Sequence, residues 1–266
     1  MTVPFISLEG VEKSFVGQKG RTSKAVSSFS LDMQRGDFLC LLGPSGCGKT
    51  TVLGLLAGFE QPTAGRLLVD GLPVKGPSRD RGVVFQGEDS LYPWLTALDN
   101  IAFGPRMASG STAQARDRAT QFLELVGLSG QGDKYPSELS GGMKQRIQIA
   151  RALANEPKML LMDEPFGALD AQTRAIMQRE LRKIWMETRT SILFITHDLD
   201  EAIVLGTKIG VMTAGPGGTL KAVVPVEMSG ERDRKDPAYT EIYATVHDMI
   251  REEVEKASRM MAREAT

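Results

Sequence analysis

Residues Gly43-Pro44-Ser45-Gly46-Cys47-Gly48-Lys49-Thr50 place three kinds of chemistry at a fixed spacing: bare backbone, an ammonium and a hydroxyl. Glycines let backbone N–H groups turn inward around phosphates, and a helix beginning at Lys49 points its positive end at them. Lys49 then reaches the β and γ phosphates of a nucleotide, and the Thr50 hydroxyl takes a magnesium position. Thr51 continues the same cradle. A glycine-rich turn with an ordinary surface lysine is the bland alternative. The flanking segments, a buried strand before and a helix after, favour the phosphate loop.

A second chemical centre is Met159-Leu160-Leu161-Met162-Asp163-Glu164, an apolar strand ending in adjacent carboxylates. Ligands bind at such strand ends in parallel sheets. Asp163 is placed to hold magnesium through water, and Glu164 to orient and polarise an attacking water. A third is Leu139-Ser140-Gly141-Gly142-Met143-Lys144-Gln145-Arg146, where Ser140 and the Gly141 and Gly142 amides open a helix and form a second anion-holding terminus. One nucleotide cannot readily use two such termini of one chain separated by a helical insertion. The second therefore serves a nucleotide held by a partner copy.

The elements that must position these residues are legible from hydrophobic period. Phe5 to Glu9 and Val26 to Met33 read as strands, and the wholly apolar Phe38 to Leu42 as a buried one. Val52, Leu55 and Leu56 mark one face of a helix closing at Gly58. Thr112 to Val126 carries Ala119, Phe122, Leu123 and Val126 on a stripe, with Gly127 as C-cap, inside a helical insertion. From Met159 the order is strand, helix (171–188), strand (191–195), helix (198–205) and strand (209–212), the alternation of an α/β domain with a largely parallel sheet. Pro237 opens a last amphipathic helix with Ile242, Val246, Met249 or Ile250, and Val254 at helical spacing, assigned to a tail packed on the main domain rather than to a membrane-surface helix, because acidic residues match its basic ones.

Composition narrows the function. The 266 residues are 41% hydrophobic and 24% charged, as in ordinary globular proteins. The 32 Lys and Arg balance 33 Asp and Glu, so no basic surplus points to nucleic acid as partner. The apolar runs at 38–42 and 159–162 fall far short of the ~18 residues of a membrane span, and the amino terminus lacks the charged flank and apolar run of a secretory signal. The chain is expected in the cytosol. Cys40 and Cys47 have no metal-ligand or CxxC spacing and read as free thiols. Cys47 is read as filling space in the loop, and an alkylation-prone thiol beside the helix amino end is kept as a side hypothesis.

The segment from Leu139 to Arg146 resembles the LSGGQ signature motif of ABC ATPases, and other motifs stand in that family's order. Gln86 after "GVVF" looks like the Q-loop glutamine, Ala168-Leu169-Asp170 the D-loop, and His197 in "FITHD" the switch histidine; Phe15 resembles the aromatic residue that stacks on adenine. The resemblance covers roughly residues 5–219. Met143 departs mildly from it, where many members carry glutamine, and this bears on fine contacts alone. It implies a P-loop NTPase core with a largely parallel sheet, an N-terminal antiparallel β subdomain and a helical signature-motif subdomain. The implied organisation is a nucleotide-binding domain over 1–230, its helical part at about 87–155, and a helical tail over 231–266.

The resemblance further implies ATP and Mg2+ as cofactors, with Gln86 joining Thr50 and Asp163 at the metal, and His197 sensing the γ-phosphate. It implies a homodimer closing head to tail on two ATP molecules, attached to two transmembrane permease subunits at the cytoplasmic face of the membrane. Residues 81–104 and "DEPFGALDAQTR" look like the ATPase subunits of nitrate, sulfonate and taurine importers, which receive solute from a separate solute-binding protein. Leu91, Tyr92, Pro93, Trp94 and Leu95 suit either a core or a docking surface for the permease, and docking is the reading adopted. An ABC exporter ATPase or a soluble non-transport ABC ATPase stands as the alternative.

Overall fold

Alternating side chains build the two longest strands, Ile6–Val16 (β1) and Thr22–Met33 (β2), which pair antiparallel with Ile6, Leu8, Phe29, Leu31 and Met33 buried. The computed structural model describes residues 3–17, 20–85, 90–167, 169–228 and 232–264. Phe38–Leu42 (β3) is buried at every position, as a strand covered on both faces must be. Lys49–Ala57 (α1) follows and stops at Gly58, whose φ of 83° supplies a left-handed cap. Ala64–Val69 (β4) and Leu72–Pro73 (β5) extend the first sheet to the order β2-β1-β4-β5.

The chain then runs through Arg81–Val84 (β6), Ala97–Ser109 (α2), Thr112–Leu125 (α3), Gly141–Leu153 (α4), Met159–Asp163 (β7) and Ala171–Thr188 (α5). It returns through Ser191–Ile195 (β8), Leu199–Leu205 (α6), Lys208–Met212 (β9), Leu220–Pro225 (β10) and Pro237–Glu264 (α7). Two units result, one of Met1–Ser78 with Ser191–Thr266 and one of Arg79–Thr190. In the first, strands lie side by side as β10-β9-β3-β8, with β8 and β9 parallel to β3 and β10 antiparallel to β9. In the second, β6 and β7 pair in parallel from Arg81↔Met159 to Val84↔Met162. The parallel strands and the antiparallel N-terminal sheet agree with the expected α/β architecture.

Helix α2 is not marked by the sequence pattern, because Gly104 and Pro105 interrupt it and both lower helix propensity. Tertiary contacts override that preference: Ala97, Ile101 and Ala102 are buried, and Thr96 caps the helix by accepting from the Asp99 N–H at 3.2 Å. The tail helix α7 also departs from expectation. Tyr239 and Val246 are buried, but Val254 is 47% exposed and Glu253, beside it, is 1% exposed. The inward stripe thus rotates onto a carboxylate whose partners come from elsewhere in the fold. Among the described residues no helix is long and apolar enough to cross a membrane.

Candidate functional site

The first unit carries the phosphate loop. It leaves the carboxyl end of β3 and enters α1 through Gly48, at φ 102°, a conformation costly for any residue with a Cβ. A Cβ at Gly48 would also lie 2.5 Å from the Ala25 carbonyl oxygen on β2. Glycine at the cap leaves no side chain bonded to the first-turn amides of α1, which suits an anion. Pro44 and Cys47 are buried, Gly43 and Gly48 half-buried, and Ser45, Gly46 and Thr50 exposed, with Thr51 half-buried. Lys49 is 8% exposed. Its ammonium donates to the carbonyl oxygens of Gly43 at 2.7 Å and Pro44 at 3.0 Å, clasping the start of the loop to its end.

Strand register brings His197 to the same edge. Leu41 of β3 pairs with Ile195 of β8, so Gly43 and His197, each two residues further on, leave adjacent parallel strands at one level. His197 is exposed, and the residues beside it are held by hydrogen bonds. Thr196 is buried, donates from Oγ1 to Glu201 at 2.5 Å and accepts from the Asp198 N–H at 3.0 Å. Asp198 caps α6, accepting from the Asp200 and Glu201 N–H groups at 2.9 and 3.2 Å. From the tail, Tyr239 and Arg234 both bond the Asp200 carboxylate, and Arg232 donates to the carbonyls of Ile203 and Gly206 at the other end of α6.

Phe15 is 40% exposed on β1, opposite Ser23 and with the Lys13 ammonium 4.8 Å from its ring centre. It is on β1 opposite Ser23 of β2, two residues from the Ala25 carbonyl that lies against Gly48. Cys47 is buried, in keeping with the space-filling reading and against the side hypothesis of an alkylation-prone thiol. Burial pushes its pKa up and outweighs the nearby Lys49 charge. Burial likewise drives the Cys40 thiol well above its usual range. Both are free and buried.

The second unit holds the carboxylates and the signature residues. Asp163 and Glu164 are half-buried at the end of β7, and Glu164 takes a left-handed φ of 43° with its carbonyl accepting from the Gly167 N–H at 3.1 Å. That conformation turns the chain sharply at the carboxylate before Pro165. Ser140 is the exposed N-cap of α4, its Oγ accepting from the Met143 N–H at 3.4 Å. Gly141 and Gly142 are half-buried. A Cβ on Gly142 would meet Thr173 Cγ2 of α5 at 2.9 Å, so glycine there permits close helix packing.

Asp170 caps that same α5, accepting from the Gln172 and Thr173 N–H groups at 3.0 Å. Hydrogen bonds from Thr173 hold its carboxyl below the ordinary range. Thr173 thus packs against Gly142 of α4 while its amide bonds Asp170. Gln86 and Ala168 lie outside the described residues.

Of the apolar loop after the Q-loop position, Leu91 is core at 4% exposure, Tyr92 is half-buried between Trp94 and Phe103, and Trp94 stands 70% exposed. The organiser of this loop, Asn100, drew no notice from sequence. It is fully buried; its amide donates to the carbonyls of Tyr92, Leu95 and Thr96 and accepts from the Tyr92 N–H. A polar residue between Ala97 and Ile101 on an otherwise apolar stripe is the signal that marks it. Glu253 of α7 is the second such residue.

The family described as "ABC transporter" matches residues 26–167. The nitrate import ATP-binding protein of Synechococcus elongatus is 44% identical over 252 residues, 92% of this chain and 91% of that protein. The taurine import ATP-binding protein of Chromobacterium violaceum is 49% identical over 206 residues, 77% and 78% of the two chains. Among solved structures, a dimeric ATP-binding cassette in a post-hydrolysis state bound to ADP and Pi superimposes with a TM-score of 0.70 at 28% identity, covering 84% of this chain and 100% of the other.

Proposed function

Since this chain belongs to the ABC transporter family, we propose that it is the ATP-binding, ATP-hydrolysing subunit of an importer for a small oxyanion: taurine, another alkyl sulfonate or nitrate. The observation that carries the reading is the shared register of β3 and β8, which sets a glycine-lined phosphate loop and an exposed imidazole at one sheet edge. The relatives named for nitrate and taurine import support the choice of solute.

In this reading the amides from Gly43 to Thr51 and the Lys49 ammonium bind the phosphates, with Phe15 stacked on the adenine. Glu164 orients and polarises water for in-line attack on the γ-phosphorus, and His197 hydrogen-bonds the γ-phosphate and reports its loss. The exposed Thr50 hydroxyl and the Asp163 carboxylate are hard oxygen donors that fit magnesium. With Gln86 they would hold the ion, which when bound neutralises charge between the β and γ phosphates. Ser140, Gly141 and Gly142 grip the nucleotide of a second copy, and Asp170 faces that same interface. Two copies closing head to tail then move two permease subunits, to which Trp94 offers an exposed aromatic anchor. The chain works at the cytoplasmic face, and a solute-binding protein delivers cargo to the permease.

Phosphate release from Mg-ATP without an acceptor, measured on the chain assembled with its permease, tests the enzyme reading. Turnover in the natural chain and none in Glu164→Gln is the expected pair; no turnover in either overturns it. Competition among taurine, alkyl sulfonate and nitrate for uptake by the same assembly tests the solute.

A further inference from the structure

The turn joining β9 to β10, residues 213–219, is pressed against the phosphate loop by backbone. A Cβ on Gly43 would lie 3.0 Å from Met212 Cβ and 3.3 Å from its carbonyl oxygen, and one on Gly218 would lie 2.2 Å from the Cys47 carbonyl oxygen. No side chain fits between the turn and Cys47 at Gly218, and one at Gly43 would crowd the end of β9 from which the turn departs. The turn closes on itself through Thr213 N–H to Thr219 O at 2.9 Å and Thr219 N–H to Thr213 Oγ1 at 3.0 Å. It is tied to β2 through Ser27 N–H to Gly218 O and Thr219 Oγ1 to Ser28 O, each 3.2 Å.

Its outer part is held from α7. Glu253 Oε2 accepts from the Ala214 N–H at 2.9 Å, and a Cβ on Gly215 would meet Met260 Cε at 2.6 Å. The other face of the carboxylate takes Lys256 at 2.7 Å and Lys221 at 3.0 Å. Tyr239, Val246, Glu253 and Met260 follow one another at heptad spacing on the helix, so an apolar residue at 253 would complete the stripe without the cost of burying a charge. The carboxylate does what no apolar side chain can: it fixes a backbone amide of the turn.

We propose that Glu253 is a positioning residue of the nucleotide site, acting from the tail helix through the 213–219 turn on the phosphate-loop backbone between Gly43 and Cys47. The proposal rests on the reading of that loop as the ATP site. A loop amide displaced by a fraction of an ångström loses hydrogen-bond strength to phosphate, so the tail sets nucleotide affinity without touching nucleotide.

The test is calorimetric titration of the full chain with Mg-ADP, which avoids turnover, at a temperature where circular dichroism shows each variant folded. Glu253→Ala is expected to weaken affinity about tenfold. Glu253→Gln, whose amide oxygen still accepts from Ala214, restores it to within about twofold, and so does Lys256→Ala, which leaves that bond in place. Glu253→Asp, too short to span the same gap, replaces the alanine variant if the latter does not fold, with the same expectation. Unchanged affinity in the folded Ala or Asp variant overturns the proposal, as does a Gln variant as weak as Ala. A natural chain that binds no Mg-ADP overturns the ATP-site reading itself, which separates the two failures.

Discussion

The Lys49 ammonium lies 2.7 Å from the carbonyl oxygen of Gly43, so the residue proposed to reach for phosphate also staples the loop proposed to present it. Lys49→Met keeps the length and removes the charge. Loss of a charge-assisted contact of about 1.5–3 kcal/mol is expected to weaken Mg-ATP binding by roughly 10- to 100-fold in calorimetry. The melting midpoint falls too, because the Gly43 and Pro44 carbonyls lose their donor. A variant that binds ATP as tightly as the natural chain refutes the assignment.

Glu164→Gln keeps the shape at the end of β7 but cannot draw a proton from water. It is expected to trap an ATP-bound dimer with no phosphate release, seen as a doubled mass in light scattering on addition of Mg-ATP. A monomeric variant in saturating Mg-ATP would contradict the shared-site account.

Cys47 should react slowly. Its thiol is pushed up by burial, so at neutral pH the thiolate fraction falls below that of a free cysteine, and thiolate is the nucleophile. Iodoacetamide labelling of the folded chain is expected to run at least about tenfold behind a cysteine peptide and to catch up in denaturant. Equal rates in the native chain would show an acidic, accessible thiol.

Acid should loosen the tail. Glu253 is pushed up by burial but brought down to about 2, against an ordinary 4.5, by Lys256, the Ala214 amide and Lys221. The folded state therefore binds its proton less readily than the unfolded chain. The resulting stabilisation, on the order of 3 kcal/mol, is complete above pH 4.5 and is lost as pH falls toward 2. Urea midpoints of the natural chain and Glu253→Gln should converge over that window; a gap that does not change with pH contradicts the ionised carboxylate.

Asn100→Ala removes the side chain that satisfies the Tyr92, Leu95 and Thr96 carbonyls and the Tyr92 amide. A cost of about 3 kcal/mol in urea unfolding is expected. Trp94, already exposed, should gain mobility in fluorescence anisotropy. An unaltered midpoint would mean that the loop holds itself.

Much of this molecule was legible along the chain, since local rules wrote it there. An all-apolar pentad announced β3, a glycine run announced the phosphate loop, and carboxylates after Met159–Met162 announced the end of β7. Strand, loop and helix order needs neighbours alone, and so does the helix start at Ser140. Helix α2 escaped because Gly104 and Pro105 argue locally against a helix that burial of Ile101 and Ala102 sustains.

By itself, then, the order of residues determined which chemical groups are available to the proposed site for phosphate, metal and water. The tertiary structure alone decided which residues stand behind that chemistry. Val254 and Glu253 are adjacent, and hydrophobicity favours Val254 facing inward. The fold turns Glu253 inward because Ala214 and Lys221, more than 30 residues away, bring an amide and an ammonium to that point, and a buried carboxylate goes where its donors are.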